Sequence, residues 1–147
     1  MAHVRQQIRD AVVVAVTNLT TTGSNVFRSR VFPLESAKLP ALAVYTKSET
    51  IEYETMNFPR STNRTLNLGV EAFVKSSNNF DNLLDNIAVE VEEALTTNAT
   101  LQNLVKDTRI ASFEADYSGD GETTIGIGRF DVVLEYRTLE NDVENAV

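Results

Sequence analysis

Five apolar residues at every second position constrain the fold of this chain more than any other feature. These residues are Leu66, Leu68, Val70, Ala72 and Val74. Because successive side chains of a strand point to opposite faces, this spacing predicts a strand with one buried face. Gly69, on the opposite face, indicates a bulge or a close backbone approach. The buried face requires a second layer of structure to cover it.

Two segments with helical spacing are predicted to form the covering layer. Residues 3–20 carry apolar side chains three and four positions apart, and this helix is expected to end in the threonine-rich stretch before Gly23. Residues 80–96 repeat the pattern after several potential N-cap side chains. Both apolar stripes are wide, which is typical of helices that pack on a sheet.

An excursion from the sheet is predicted between the strands before and after it. Residues 48–55 alternate only in part and carry several glutamates, so they are interpreted as its outer arm. Residues 56–63 contain Pro59 and polar turn formers and are interpreted as its tip. The other strands are predicted over residues 25–33, 41–47, 109–117 and 123–137.

The predicted fold is a single α+β domain over residues 1–139. It has two layers, in which a mostly antiparallel or mixed sheet carries two main helices on one face. The acidic tail, residues 140–147, has no clear periodicity and is expected to fray or to dock only on a partner.

The composition excludes several kinds of chemistry. The chain has no cysteine and one histidine, His3, so thiol chemistry and zinc sites built from Cys and His are excluded. His3 is expected to be solvated beside the first helix. The net charge of −8 argues against binding nucleic acid through its phosphates, although it suits a surface past which DNA moves without adhering. No apolar run is long enough to span a bilayer.

The glycine-rich stretch DYSGDGETTIGIGRF, residues 116–130, is the candidate cation or nucleotide site. Asp116, Ser118 and Asp120 copy the first half of an EF-hand calcium loop. Position twelve of that loop is Ile127 where calcium needs a bidentate glutamate, and the flanks have strand patterns. A hairpin turn is therefore favoured, with calcium binding as a weak alternative.

Two further glycines in this stretch, Gly126 and Gly128, do not form a dinucleotide motif, because the third glycine and the following helix are missing. They share one face of the predicted strand. They are interpreted as a packing feature that lets another backbone or a helix lie close to the sheet.

Three glutamates on the outer arm, Glu49, Glu52 and Glu54, are the candidates for paired carboxylates. A catalytic pair needs an environment that raises the pKa of one member, and the sequence shows no apolar pocket around them. They are therefore predicted to form a solvated or partner-facing edge.

The remaining interface candidates are basic or aromatic. Arg28 and Arg30 share a strand face, and they either pair with acids of a neighbouring molecule or are surface charge. Phe58 lies at the predicted loop tip, where an aromatic residue is more typical of an interface anchor than of a core. Arg60, two residues later, is assigned to the same candidate surface.

The order of these segments resembles the lambda-type phage tail terminator proteins, the minor tail protein U family. The resemblance runs over about residues 3–137, and its motifs are structural with no catalytic signature. The matching motifs are RSRVFP at 28–33, LPALAVYTKSE at 39–49, LNLGVEAFV at 66–74, VEVEEAL at 89–95 and a closing strand that ends in Tyr136.

This resemblance implies a subunit that assembles with copies of itself into a six-membered ring. Such rings cap the growing tail tube, end its polymerisation and present a surface to the connector of the head. The implied partners are the chain itself, the tube protein and the connector protein, with DNA passing through the lumen unbound. The resemblance implies no enzymatic activity and no cofactor, and a location at the head-proximal end of the virion tail after assembly in the host cytoplasm.

Three other functions stay open from the sequence. Another tail or head–tail completion protein of similar size would show the same pattern. A calcium or small-ligand module would use residues 116–122. A hydrolase would need a buried pair of glutamates, which the sequence does not show.

Overall fold

The computed structural model describes residues 2–20, 23, 26–27, 40–76, 80–97, 101, 103–118 and 124–147. Two helices are present, α1 (Val4–Ala15) and α2 (Phe80–Thr97). The strands are β1 (Val26–Phe27), β2 (Ala41–Tyr53), β3 (Ser61–Ser76), β4 (Asp107–Ser118) and β5 (Thr124–Leu139). They form one sheet in the order β1-β2-β3-β5-β4, in which β1 is parallel to β2 and all other neighbours are antiparallel.

The core lies between the sheet and both helices, on what we call the helix-side face. The five alternating residues of β3 are at most 2% exposed there. The residues that meet them are Leu42 and Val44 from β2, Phe130, Val132 and Leu134 from β5, Ile8 and Val12 from α1, and Leu84, Ile87 and Val91 from α2. The predicted two-layer α+β fold is confirmed. Neither described helix is long and apolar enough to cross a membrane.

The first helix is shorter than the sequence predicts. It ends at Ala15, and Asn18 adopts a left-handed backbone conformation with φ 66°. Asn18 N donates to Gly23 O at 2.8 Å, and Gly23 N donates to Leu19 O at 2.8 Å. These bonds reverse the direction of the chain. They use backbone groups of Asn18 and Leu19 that would otherwise bond along a longer helix, so the helical prediction for residues 16–20 is wrong.

The start of α1 is capped by His3, which the sequence predicted to be only a solvated neighbour. Its Nδ1 accepts a hydrogen bond from Arg5 N at 3.0 Å. Partial burial, and then the charge of Arg5, lower the pKa of His3. The ring therefore stays neutral at pH 7 and keeps the lone pair that the cap requires.

The segments predicted as a strand and an outer arm form one strand, β2. Its register with β3 shifts between Thr46 and Ser48, where a β-bulge adds one residue. Because side chains alternate along a strand, the extra residue changes which positions face the helices. The helix-side residues of β2 are Leu42 and Val44 before the bulge, and Glu49, Ile51 and Tyr53 after it. The bulge thus directs Glu49 toward the helices.

Two glycines in the sheet make room for aromatic rings. The Tyr45 ring occupies the space that a Cβ at position 69 would need, and its hydroxyl donates to Glu71 Oε1 at 2.7 Å. A Cβ on Gly128 would lie 2.9 Å from the Phe113 ring and 3.2 Å from Leu84 Cδ2 of α2. The close approach of a helix predicted at Gly128 is confirmed by the Leu84 contact, whereas the neighbour at Gly69 is a side chain and not the predicted backbone.

The acidic tail packs on the domain, so the prediction that it frays or docks only on a partner is wrong. Glu140 N donates to Arg60 O at 2.8 Å, Val4 N donates to Val143 O at 2.8 Å, and Val147 N donates to Arg137 O at 2.9 Å. These bonds join the end of β5 to the β2–β3 hairpin and to the start of α1. Several backbone groups of the tail are therefore bonded within the molecule, which places the tail against the domain.

Candidate interaction surface

The hairpin of β2 and β3 ends in an exposed tip, residues 54–60. Met56 is 91% exposed and Phe58 is 77% exposed, while Tyr53, the last residue of β2, is 57% exposed. Exposed apolar side chains grouped in this way mark surfaces that contact other molecules. The exposure predicted for Phe58 is confirmed, and its role as an interface anchor stays a prediction.

A guanidinium group holds the two aromatic rings in place. Arg60 Cζ lies 4.3 Å from the centroid of the Tyr53 ring and 4.9 Å from that of the Phe58 ring. Both distances fall in the range of cation–π attraction. We call Tyr53, Met56, Phe58 and Arg60 the tip cluster. Its two aromatic side chains thus share one cationic partner within the hairpin.

The tail fixes Arg60 in turn. Glu140 Oε2 accepts hydrogen bonds from Arg60 Nε at 2.7 Å and from Arg60 N at 2.8 Å. The Arg60 hydrogen bond lowers the pKa of the Glu140 carboxyl, and burial opposes this only in part. The C-terminal tail therefore positions the tip cluster through a single carboxylate.

We expect the Glu140 carboxyl to titrate below its ordinary range. A carboxyl with a lowered folded-state pKa contributes stability at pH values above its unfolded pKa of about 4.3 and loses it as the pH falls through the folded value. Acidification should therefore release Arg60. Carboxyl-detected NMR titration measures this pKa directly. Arg60→Ala should return it to the ordinary range, and Arg109→Ala, on the other face of the sheet, should leave it unchanged.

A buried ion cluster lies at the base of the same hairpin, on the helix-side face. Glu49 Oε2 is 2.7 Å from Arg5 NH1 of α1 and 3.1 Å from Arg64 NH1 of β3. Tyr136 of β5 donates its hydroxyl to Glu49 Oε1. The Glu49 side chain is 5% exposed and that of Arg64 is 8% exposed. We call Arg5, Glu49, Arg64 and Tyr136 the Glu49 cluster.

The Glu49 cluster fixes the hairpin relative to the helix layer, because its four members come from four different elements. Burial, and then the hydrogen bond to Glu49, raise the pKa of Tyr136, so its phenol is protonated and remains a donor at neutral pH. Arg64 Nε also donates to Thr62 Oγ1 at 3.2 Å. Buried charges with these partners are satisfied, which is the condition for retaining them in a core.

Tyr136→Phe should destabilise the fold by about 1–3 kcal/mol, because Glu49 then loses a buried donor. The measurement is urea denaturation followed by circular dichroism. The matched control is Tyr53→Phe, which removes a hydroxyl from an exposed ring and should cost less than about 0.5 kcal/mol. Equal effects of the two substitutions would contradict the role assigned to the Tyr136 hydroxyl.

The three glutamates predicted to form one edge have different environments in the structure. The prediction that Glu49 is solvated or faces a partner is wrong, because the bulge turns its side chain toward the helices. Glu52 is exposed, as predicted. Glu54 Oε1 lies 2.9 Å from Arg137 Nε. Arg28 and Arg30 lie outside the described residues.

The calcium candidates do not form a loop where the structure describes them. Asp116 and Ser118 belong to strand β4, and Asp120 lies outside the described residues. Asp116 Oδ2 is 3.8 Å from Arg129 NH1, so a guanidinium already occupies the neighbourhood of its carboxylate. The described part of the chain holds no group of three or more His, Cys, Asp or Glu residues placed to bind a metal ion.

The sequence interpretation missed five residues of these two clusters: Arg5, Tyr53, Met56, Arg64 and Tyr136. It also missed Glu140, the tail residue that holds Arg60. Arg64 occupies a helix-side position in the register that continues from Leu66 to Val74. A charged residue at an inward position of an otherwise apolar register signals a buried partner. That signal was available for Arg64. Glu140 had none, because its contact depends on the path of the tail.

The fold and the tip cluster together define a small α+β protein with an exposed apolar hairpin tip. The family model for phage minor tail protein U matches residues 3–136. The chain belongs to this family and is a structural protein of the bacteriophage tail, and the resemblance seen in the sequence is confirmed.

One solved structure gives a more distant likeness. A chain in the virion of a native gene transfer agent (GTA) particle is 15% identical, with a TM-score of 0.46. The match covers 90% of this chain and 92% of that chain. No curated protein matches the chain.

Proposed function

We propose that six copies of the chain form a ring that caps the phage tail tube, ends its polymerisation and gives the head its attachment surface. The proposal starts from membership of a tail protein family. The observation that carries it is the tip cluster, because an ordered apolar projection on a subunit of a tail is explained by contact with another subunit.

Ring assembly accounts for a surface that a single copy leaves uncovered. A contact between two different patches of identical subunits joins them head to tail, and the chain of subunits closes into a ring when the rotation permits. The tip cluster is one such patch. A ring of this kind covers the tip of every copy.

The charge of the chain supports passage of DNA through the ring. Six copies at −8 each carry roughly −48, a charge that repels the phosphate backbone. Helix α2 contributes five acidic residues and no basic residue to this field. Its exposed acidic side chains are Asp81, Asp85, Glu92 and Glu93. DNA can therefore move through the lumen without adhering.

The role is structural, with no catalytic step and no cofactor assigned. Glu49, the candidate carboxylate that the structure buries, uses both oxygens to accept hydrogen bonds from two arginines and a tyrosine. These donors occupy both carboxylate oxygens within the fold. The Glu49 cluster is accordingly interpreted as a stabilising element.

Cryo-electron microscopy of the purified protein mixed with isolated tail tubes tests this function. We expect a ring with six-fold symmetry on one end of each tube and no such density on tubes alone. Binding to isolated connectors without any density on tubes would contradict the proposal and would favour another head–tail completion role.

A further inference from the structure

A shallow groove lies between the ends of the two helices. It has a volume of about 500 Å³, and its walls come from residues 15–20 after α1 and residues 90–97 of α2. Ala15, Leu19 and Ala94 give it an apolar floor, and Glu90 and Glu93 lie beside them. The groove is open to solvent and combines apolar surface with negative charge.

The groove and the tip cluster lie at opposite ends of the molecule. Along α1, Arg5 contacts Glu49 and Arg9 contacts Thr46, so the helix runs antiparallel to β2. The end of α1 therefore lies near the start of β2, on the order of 30 Å from the tip. A tip cannot reach the groove of its own molecule, so the two surfaces can meet only between copies.

The two surfaces each combine apolar side chains with charge, of opposite sign. The tip cluster carries the Arg60 guanidinium, whose Nε bonds Glu140 and whose side chain is 35% exposed. The groove is lined by three apolar residues, three uncharged polar residues and the carboxylates of Glu90 and Glu93, with no basic residue among its lining residues. Insertion would bury Met56 and Phe58 against the apolar floor and bring Arg60 toward Glu93. Aromatic and arginine side chains in a desolvated pocket dominate interface energetics.

Part of the tip is positioned in advance. Arg60 contacts two aromatic rings and Glu140, so its side chain has less conformational entropy to lose on docking. Preorganisation of this kind lowers the cost of association.

We infer that the tip cluster of one copy inserts into the helix groove of the next copy, and that this contact repeats around the ring. The inference rests on the proposed function and names the interface that it requires. The contact is heterologous, so every copy contributes one tip and one groove.

Cross-linking tests this contact, because the chain has no cysteine of its own. The variant Met56→Cys/Ala94→Cys, treated with a short bis-maleimide, should give a ladder of covalent oligomers that stops at the size of the ring. Each single variant should stay monomeric on a denaturing gel. The control is Met56→Cys/Asp81→Cys, in which the second cysteine lies at the other end of α2. Circular dichroism would be used to check that all variants are folded.

The results separate failure of this contact from failure of the ring. Capped tubes together with a ladder no stronger than that of the control would overturn the contact and leave the proposed function standing. Tubes that stay uncapped, with no oligomers in solution, would overturn both.

A mixing experiment checks the same contact without cysteines. Met56→Ser/Phe58→Ser breaks the tip and keeps the groove, whereas Thr97→Arg obstructs the groove and keeps the tip. An equimolar mixture has one intact contact and should give dimers by sedimentation velocity, while each variant alone stays monomeric. A mixture that stays monomeric would contradict the contact, since wild-type grooves and tips are both present in it.

Discussion

Glu49→Ala is expected to destabilise the fold by about 3–5 kcal/mol, the cost of removing one partner of a buried ion cluster. The substitution leaves Arg64, whose side chain is 8% exposed, without its carboxylate. It also leaves the Tyr136 hydroxyl without its acceptor. Arg64 would then keep its hydrogen bond to Thr62 but lack a counter-charge, and the buried Tyr136 hydroxyl would lose its acceptor.

Urea denaturation followed by circular dichroism measures this loss, and Glu52→Ala is the matched control. Glu52 lies three residues further along β2 and is exposed, so its replacement should change the free energy of unfolding by less than about 0.5 kcal/mol. If the two substitutions have equal effects, Glu49 is not the buried partner of Arg5 and Arg64 that the structure shows.

Met56→Ser/Phe58→Ser is expected to weaken ring assembly by at least about 100-fold while the monomer keeps its stability. These side chains are 91% and 77% exposed, so their replacement removes few contacts within the molecule. In an interface, anchors of this kind are each worth about 2 kcal/mol or more. The double variant should therefore lose assembly without losing stability.

Sedimentation velocity over a range of concentrations measures assembly, and thermal denaturation measures stability. Val147→Ser is the control, because it removes a 58% exposed apolar side chain outside the tip cluster. It should leave assembly unchanged. Rings formed by the double variant at wild-type concentrations would exclude the tip as the contact.

The sheet and its helices could be predicted because their signal is periodic and local. In β3, every second residue from Leu66 to Val74 is buried on the helix-side face, and the apolar stripe of α2 follows helical spacing in the same way. Such patterns depend only on which face of an element is covered. Phe58 was identified for a related reason, since a large aromatic residue in a polar turn has few local ways to be buried.

The Glu49 cluster could not be predicted, because the direction of the Glu49 side chain depends on the one residue that the bulge inserts into β2. Without the bulge between Thr46 and Ser48, Glu49 would point away from the helices, and its neighbours in sequence give no sign of the shift. Its partners come from α1, β3 and β5, so the cluster exists only after the sheet has formed. Sequence patterns report local environment, whereas such a cluster depends on tertiary register.

The contact between the tail and the tip cluster could not be predicted either, because it also depends on tertiary structure. Glu140 is far from Arg60 in sequence, and the hydrogen bonds between them depend on the turn that follows β5. An acidic stretch without periodicity therefore seemed disordered when read alone. Its order comes from hydrogen bonds to the hairpin and to the start of α1.

The central claim is that this chain ends the growth of the tail, and tail length measures it most directly. Particles would be produced with and without the chain, and their tails measured by negative-stain electron microscopy. We expect tails of variable, excessive length and no attached heads without the chain, and uniform tails with heads when it is resupplied. Tails of normal length joined to heads in its absence would contradict the account.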